Sequence, residues 1–368
     1  MKTGKLHFLT FGDIPYDQRM LRIWSSLYDA GYEIVIFGRK LTSQDISHLS
    51  FKVKRFTPIF EKGFLAYFEY NIRAFFFLLG QKFTILCCID LDTLPTGYFL
   101  KFFRKYRLVY DAHEYFTESP EIVNRPFLKK FWEAVAFTCI PKADHCYTVS
   151  RSIGLEMSVR YKKNFDLIRN LPNFSEDTIE ELSQEHQSSY ILYQGAMNVG
   201  RGLENLILAM VEVQDKELWL AGEGNLSDAL KSLAFENGIQ DKVKFLGNLN
   251  PEALKSVTEK AWIGINILEL LGKSYYFSLA NKFFDYIQCG IPQICIDFPE
   301  YKTLNDEFEI AIMIPDTKVS NIVTAINKLK SDPELYQKLR SNCFNASSEL
   351  NWNKESVKLL DIYHNLTT

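Results

Sequence analysis

The sequence predicts an α/β protein built from two doubly wound parallel-sheet domains, and three observations support this class. The chain has 368 residues, more than one ordinary hydrophobic core holds, so two domains are expected. Short apolar strands alternate with helical patterns in both halves of the chain. One strand, residues 83–89, is almost continuously apolar, as a parallel strand buried on both faces requires.

The first strand and helix predict a ligand site near the N-terminus. A strand over residues 6–11 ends at Gly12, and a helical pattern over residues 17–30 follows it. Doubly wound sheets bind ligands beyond the carboxyl ends of their strands, where Gly12 would let a phosphate approach and Arg19 would supply a cation. A tight turn without a ligand explains Gly12 equally well.

Two later strands of this half also end in polar residues. Asp90 and Asp92 follow residues 83–89 with a spacing that binds metal ions in some enzymes, but a helix predicted from Thr93 makes Asp92 its N-cap instead. The strand at residues 107–112 brings a second group of polar side chains to the same edge of the sheet. These side chains are Asp111, His113 and Glu114. A histidine at a strand end is either structural or part of the chemistry.

Aromatic and basic residues are concentrated in the first half. Residues 64–79, FLAYFEYNIRAFFFLL, are apolar at helical spacing but aromatic nearly all round, and residues 101–107 read KFFRKYR. Residues 1–174 carry 25 Lys and Arg against 17 Asp and Glu, an excess of eight positive charges. This excess indicates that the N-terminal half faces an anionic partner, and the alternative is that the surface charges of the two domains differ by chance. The helix is either a buried core helix or a face that rests on membrane headgroups.

The second half repeats the alternation. From residue 190, YILYQGAMNVGRGLENLILAM reads as strand, loop and helix, with Arg201 and Gly202 at the helix start, where a diphosphate binds favourably. Residues 274–297 read as a loop, a short helix opening near Asn281, and a strand. Asn281 and Asp285 share one helix face, and a carboxylate there suits a ribose diol. An ordinary crossover helix with a solvated Asp285 is the alternative.

Three motifs together resemble a known family. NKFFDY at residues 281–286 followed by GIP at residues 290–292, the glycine loop with Arg201, and DLDTLP with YDAHEYFTESPE in the first half are similar to retaining glycosyltransferases of the large family four. The resemblance covers nearly the whole chain and is strongest over residues 190–296. It implies the GT-B fold, two Rossmann-like domains facing a cleft, and sugar transfer from a nucleoside diphosphate without a metal ion.

The resemblance also implies roles for individual residues. Asp285 is expected to bind the ribose, Arg201 and Lys282 the diphosphate, and His113, Glu114 and Arg201 are the candidates for catalysis. The donor-binding set is Gly12, Gly195, Arg201, Gly222, Glu223, Asn248, Ser278, Leu279, Asn281, Lys282 and Asp285. The acceptor-side set is Arg19, Asp92 and His113.

Three positions depart from the family's pattern. Phe277 stands where relatives carry the first of two acids, which normally contacts the donor sugar. Ala196 replaces a second basic residue, so diphosphate binding would depend more on Arg201 and Lys282. Ile89 replaces a histidine.

The expected domains are an acceptor-side domain at residues 1–172, a nucleotide-sugar domain at residues 173–350, and a terminal helix at residues 351–368 that crosses back to the first domain. The boundary lies before the polar stretch at residues 175–189. Seven Cys, an odd number without any CxxC pair, indicate reduced packing residues. No signal peptide or spanning segment is recognisable. This favours a cytoplasmic protein, either free or peripherally bound at the inner face of the membrane.

The sequence therefore predicts a metal-independent glycosyltransferase that uses a UDP- or GDP-sugar, without a cofactor or nucleic acid, in surface polysaccharide or glycolipid synthesis. Its acceptor would be a saccharide or a lipid-linked saccharide. Two alternatives remain open. One is a nucleotide-sugar epimerase or phosphorylase on the same scaffold, and the other is a non-catalytic binding subunit, as the missing acid at Phe277 would suggest.

Overall fold

The computed structural model describes residues 4–43, 45–174 and 190–367, without the side chains of Tyr16 and Glu121. The chain divides into two compact units. The first contains residues 1–170, 272–274 and 353–368, and the second contains residues 171–271 and 275–352. The acidic stretch before which the sequence analysis placed the domain boundary, residues 175–189, lies outside the described residues.

The first unit is built on a seven-stranded parallel sheet with the order β3-β2-β1-β4-β5-β6-β7. Its strands are β1 (Lys5–Asp13), β2 (Glu33–Arg39), β3 (Lys52–Phe56), β4 (Ile85–Ile89), β5 (Arg107–Ala112), β6 (His145–Thr148) and β7 (Asp166–Leu167). Its helices are α1 (Gln18–Asp29), α2 (Phe64–Leu79), α3 (Leu94–Leu100), α4 (Pro120–Val123), α5 (Pro126–Cys139) and α6 (Arg151–Tyr161), with 3₁₀ turns at Ile14–Tyr16, Phe116–Glu118 and Ile140–Lys142. The strand order reverses between β1 and β4, where doubly wound sheets bind ligands.

The second unit is built on a six-stranded parallel sheet with the order β10-β9-β8-β11-β12-β13. Its strands are β8 (Tyr190–Gln194), β9 (Glu217–Ala221), β10 (Val243–Gly247), β11 (Ile263–Asn266), β12 (Gln293–Ile296) and β13 (Ala311–Ile314). The helices of the second half are α7 (Leu203–Glu212), α8 (Ser227–Glu236), α9 (Pro251–Glu259), α10 (Lys273–Tyr276), α11 (Asn281–Gln288), α12 (Pro299–Phe308), α13 (Val319–Ser331), α14 (Pro333–Glu349) and α15 (Trp352–Thr367). The strand order reverses between β8 and β11. The predicted pair of doubly wound parallel sheets is confirmed.

Local sequence explains how the elements begin and which faces they bury. Asp17 caps α1, accepting a hydrogen bond from the Met20 N–H at 3.0 Å. In α11 the apolar residues Phe283, Phe284 and Ile287 are buried in the core of the second unit, as their spacing predicts. This burial leaves the polar face of α11 directed at the carboxyl end of β8.

Two expectations about local structure need correction. Asp92 does not cap α3: the N-cap is Thr93, whose hydroxyl donates to the Ile89 carbonyl at 2.8 Å. Gly12 lies inside β1, which continues to Asp13, and its φ is not in the left-handed region. The α2 helix, expected either as core or as a membrane face, buries only the stripe Ala66, Tyr70, Ala74 and Leu78.

Candidate active site

Two glycine loops meet at the carboxyl ends of β8 and β9. Gly195 and Gly222 have φ values of 128° and 136°, and a Cβ added to Gly222 would lie 2.1 Å from the Gly195 carbonyl oxygen. The Gly195 N–H donates to the Ala221 carbonyl at 2.9 Å. Only glycine fits this contact. It brings bare backbone to the point where the strand order reverses.

The loop after Gly195 is fixed by further hydrogen bonds. The Met197 N–H donates to the Glu223 carbonyl at 3.1 Å, and the Asn225 N–H donates to Asn198 Oδ1 at 3.1 Å. The side chain of Glu223 is exposed beside β10, and Asn248 is exposed just after that strand. Glu223 and Asn248, two members of the expected donor-binding set, therefore lie at one edge of the loop pair.

Lys282, on α11, points a buried ammonium group at the first of these loops. Its side chain is 6% exposed, its Nζ lies 3.7 Å from the centre of the Tyr193 ring, and Nζ has no hydrogen-bond partner among the described residues. A Cβ added to Gly195 would lie 3.9 Å from this Nζ. Burial, helped by the nearby charge of Arg201, lowers the pKa of Lys282 well below its ordinary value. A buried cation in this position lacks an anion among the described residues.

Arg201 is the second cation of this group. Its guanidinium lies 4.9 Å from the centre of the Tyr275 ring, and its Nε is buried without a hydrogen-bond partner among the described residues. The next residue, Gly202, is the N-cap of α7 with φ 66° and provides no capping side chain. The first N–H groups of α7 are thus available to an anion at its positive end.

Asp285 is held by side chains that the sequence analysis did not identify. Gln194, the last residue of β8, donates from Nε2 to Asp285 Oδ2 at 2.8 Å, and its Oε1 accepts a hydrogen bond from Thr258 at 2.8 Å. The carboxylate is therefore fixed at the end of β8 beside Gly195. The signal for Gln194 was a polar residue ending an apolar strand, YILYQ.

The loop before α11 is also fixed. Ser278 donates to the Tyr275 carbonyl at 2.8 Å, and the Ala280 N–H donates to the Tyr301 hydroxyl at 3.0 Å. Burial raises the pKa of Tyr301 to about 12, so its hydroxyl stays neutral. Leu279 is buried, and Asn281 begins α11. These contacts set the direction in which α11 presents Lys282.

The departures from the family pattern are visible in the second unit. Phe277 is half-buried, and the centre of its ring lies 5.1 Å from the centre of the Tyr276 ring. An apolar ring therefore occupies the position of the family's first acid. Another acid, Glu269, lies against the loop before α7, where its N–H donates to the Gly200 carbonyl at 2.8 Å. Burial and the nearby Glu204 raise the pKa of Glu269.

The first unit has its own polar cluster, at the ends of β4 and β5. Arg19 is 4% exposed and donates to Asp111 Oδ1 at 2.9 Å and to the Ile168 carbonyl at 3.0 Å. His113 lies between two carboxylates, with Nε2 3.5 Å from Asp111 Oδ2 and Nδ1 3.6 Å from Asp90 Oδ2. The backbone N–H of His113 also donates to Asp90 Oδ1 at 2.9 Å. Arg19 therefore holds Asp111 rather than presenting its charge to a ligand near Gly12.

The charged groups of this cluster compensate one another. Burial alone would lower the pKa of His113, but Asp90 and Asp111 outweigh it and raise this pKa to about 9. Burial would raise the pKa of Asp111, yet Arg19 and His113 keep it below its ordinary value. At neutral pH the imidazole is therefore a cation between carboxylates and does not act as a general base.

Asp92 and Glu114 complete the polar groups around β4. Asp92 is 7% exposed, and burial, followed by the charge of Asp90, raises its pKa well above the ordinary value, although Arg39 opposes this. Glu114 is exposed, and its charge adds to the same effect. Among the described residues, no group of three or more His, Cys, Asp and Glu forms a cluster able to hold a metal ion.

Comparison with known proteins gives one family. The family described as "Glycosyl transferases group 1" matches residues 174–345. The lipopolysaccharide core biosynthesis glycosyltransferase LpsD of Rhizobium meliloti is 24% identical over 190 residues, covering 51% of this chain and 52% of LpsD. Matches to the curated relatives span from 19% to 52% of the relative's length.

Two solved structures agree with the whole fold. Sucrose-phosphate synthase from Thermosynechococcus elongatus has a TM-score of 0.79 at 18% identity, covering 99% of both chains. HepE of Anabaena, in complex with UDP-glucose, has a TM-score of 0.77 at 13% identity, covering 98% of this chain and 100% of HepE. The chain has the GT-B fold, as the sequence predicted.

Proposed function

We propose that the chain transfers a sugar from a nucleoside diphosphate donor to an acceptor hydroxyl, as the match of residues 174–345 to the glycosyl transferases group 1 family suggests. The observation that carries the proposal is a pair of cations, Lys282 beside Gly195 and Arg201 at the start of α7. Lys282 and Arg201 each have a buried nitrogen without a hydrogen-bond partner among the described residues, and the charge of Arg201 helps to lower the pKa of Lys282. A donor diphosphate supplies the missing negative charge.

The remaining donor contacts follow from the same loops. Asp285, fixed by Gln194, accepts the ribose hydroxyls, and the exposed edge near Glu223 and Asn248 accepts the base. We favour UDP as the nucleotide because the structure of the similar HepE holds UDP-glucose. GDP remains the second candidate.

We propose that transfer retains the anomeric configuration and needs no metal ion. As the bond to the sugar breaks, negative charge develops on the departing diphosphate, where Lys282, Arg201 and the start of α7 stabilise it. His113 is cationic at neutral pH and does not remove the acceptor's proton. The leaving phosphate oxygen takes that proton, and His113 with Asp111 orients a substrate hydroxyl.

The acceptor we propose is a saccharide or a lipid-linked saccharide in surface polysaccharide or glycolipid synthesis. Support comes from the similarity to LpsD and from the exposed aromatic residues of the first unit. No helix in the described part of the chain is long and apolar enough to cross a bilayer. We expect the enzyme to work in the cytoplasm or at the inner face of the membrane.

Titration calorimetry with UDP, GDP and a panel of their sugars tests the donor site. We expect UDP-sugar binding to be weakened by about 1 to 3 kcal/mol in Asp285→Ala, because both the ribose hydroxyls and the Gln194 amide lose the carboxylate that accepts their hydrogen bonds. Unchanged affinity in Asp285→Ala would contradict the site.

One observation favours a second function, that of a non-catalytic nucleotide-sugar-binding subunit. The position of the first family acid holds Phe277, so the usual carboxylate contact to the donor sugar is missing. Tight donor binding without transfer to any acceptor, and without donor hydrolysis, would favour this alternative. Hydrolysis or slow transfer by the wild-type chain would exclude it.

A further inference from the structure

The first unit exposes a continuous aromatic surface formed by α2, α3 with the turn after it, and α5. Its members, here called the aromatic face, are Phe64, Phe68, Phe76, Phe99, Phe103 and Phe131. Their exposed fractions range from 41% for Phe131 to 68% for Phe76 and Phe103. Isolated exposed aromatic residues are ordinary, but a contiguous group of this size indicates a binding surface.

Contacts between the elements make this face one surface. The rings of Phe64 and Phe131 meet edge to face with centres 5.5 Å apart, which joins α2 to α5. The rings of Phe75 and Phe103 meet in the same way at 5.6 Å, which joins α2 to the turn after α3. Between these contacts lies an open groove of about 400 Å³ with almost entirely apolar walls, and Trp132 lines it. The face is therefore a built groove rather than scattered side chains.

Basic residues surround the aromatic face. The segments that form it and its edges, residues 61–79, 99–107 and 125–137, carry nine Lys and Arg against three Asp and Glu. The exposed Lys62, Lys105 and Lys130 make no ion pair with another described side chain. Of the acids, Glu69 is bound to Arg73 and Glu133 to Arg160. The face is thus apolar at its centre and positive at its edge.

We propose that the aromatic face binds an anionic lipid bilayer and that lipid hydrocarbon fills its groove. Aromatic side chains surrounded by lysines match the boundary between acyl chains and acidic headgroups. A second copy of this chain fits less well, because a two-fold contact through this face would bring its own basic edges together. The proposal rests on the proposed function only for its purpose, which is to bring the enzyme to a lipid-linked acceptor.

Flotation with vesicles of phosphatidylcholine alone, and of phosphatidylcholine with phosphatidylglycerol, tests the proposal on the full chain. We expect binding to the anionic vesicles that weakens as salt rises, because the charges of exposed lysines are screened. The double variant Phe76→Ser/Phe103→Ser should bind vesicles more weakly by about tenfold or by a larger factor, since it removes two exposed apolar side chains. The variant Lys105→Glu/Lys130→Glu should lose the preference for anionic vesicles.

Matched controls lie outside the face. Phe235, on α8 in the second unit, is 72% exposed, so Phe235→Ser changes an equally exposed phenylalanine. Lys260, also exposed and in the second unit, provides Lys260→Glu. Both controls should bind vesicles as the wild type does. An equal loss of binding in the controls and in the face variants would overturn the proposal, as would no vesicle binding by the wild type.

Lipids with brominated acyl chains test the groove directly. Trp132 is 3% exposed and lines the groove, so its fluorescence should be quenched on binding, and Trp132→Phe should remove most of that quenching. Quenching that does not depend on Trp132 would overturn the proposal, as would a concentration-dependent dimer that Phe76→Ser/Phe103→Ser abolishes. Donor affinity, measured without vesicles, should be unchanged in all these variants. Failure of docking is thereby separated from failure of the donor site.

Discussion

Each unit carries buried positive charges at the carboxyl ends of its strands, but the two units treat them in opposite ways. In the first, Arg19 and His113 are enclosed by Asp111 and Asp90, so the cluster is balanced without a ligand. In the second, Lys282 lies beside the bare backbone of Gly195, and neither Lys282 nor Arg201 forms an ion pair with a carboxylate among the described residues. A buried cation without an anion is costly, and a ligand that supplies the anion recovers that cost.

This difference suggests different roles for the two sets of residues. The cluster around His113 is preorganised, so it can orient a substrate hydroxyl but has little spare charge with which to bind one. The pair formed by Lys282 and Arg201 lacks a counter-anion among the described residues, so its burial is costly until a diphosphate binds. We expect substitutions in the first cluster to reduce stability and substitutions in the second to reduce binding.

The largest effect should follow from breaking the balanced cluster. Arg19→Met leaves the carboxylate of Asp111, which is fully buried, without its main partner, and we expect a loss of about 3 to 5 kcal/mol in the free energy of unfolding. Urea denaturation measures it. Lys282→Met is the comparison, because it removes a buried cation that pairs with no carboxylate in the described part of the chain, and it should leave stability equal or higher. Equal destabilisation by both variants would remove the distinction between the two sites.

The next effect concerns the donor. Lys282→Met and Arg201→Met should each weaken binding of a UDP-sugar by about 1 to 3 kcal/mol, since a charged hydrogen bond to the diphosphate is lost. Titration calorimetry measures the affinity, and Lys260→Met, at an exposed site elsewhere in the second unit, is the matched control. If the control and the two variants bind alike, Lys282 and Arg201 are not the diphosphate site.

A smaller effect, limited to alkaline pH, distinguishes the first cluster again. His113 has a pKa of about 9 in the folded chain against an ordinary value of 6.5. A raised folded-state pKa adds stability that is fully present below pH 6.5 and is lost as the pH rises through 9. Unfolding free energies measured from pH 6 to pH 10 should therefore decline across that window, and the decline should be shallower in His113→Gln. A flat profile for the wild type would contradict the imidazolium between Asp90 and Asp111.

The sequence could predict elements and loops but not the pairing of distant side chains. The alternation of apolar strands and helical patterns indicated both sheets, and the glycine loop before α7 was recognisable because such loops are local. The bonds from Arg19 to Asp111 and from Gln194 to Asp285 join residues 92 and 91 positions apart. Strand order brings these residues together, and no local periodicity encodes that order.

Surface exposure was equally hard to predict for the aromatic helix. The sequence FLAYFEYNIRAFFFLL fits a core helix and a membrane face alike, because both are apolar. Only the packing shows that α2 buries a stripe of small and medium side chains with one tyrosine, and leaves Phe64, Phe68 and Phe76 exposed. Asp92 was wrong as a predicted cap because the helix begins one residue later, at the N-cap Thr93, and the Asp92 side chain is buried.

The smallest expected effect is that of removing divalent cations. Asp90 uses Oδ1 to accept the His113 N–H, and burial raises the pKa of Asp92 well above its ordinary value, so the two carboxylates are poorly disposed to share a metal ion. The positive charge that the diphosphate needs is available from Lys282, Arg201 and the start of α7. Sugar transfer, or donor hydrolysis where no acceptor is known, should therefore keep its rate in EDTA to within about twofold, a change of less than ~0.5 kcal/mol in the barrier. The opposite outcome would be a strict requirement for manganese or magnesium, with the metal-dependent activity abolished in Asp92→Asn. It would show that this pair of aspartates binds a metal after all.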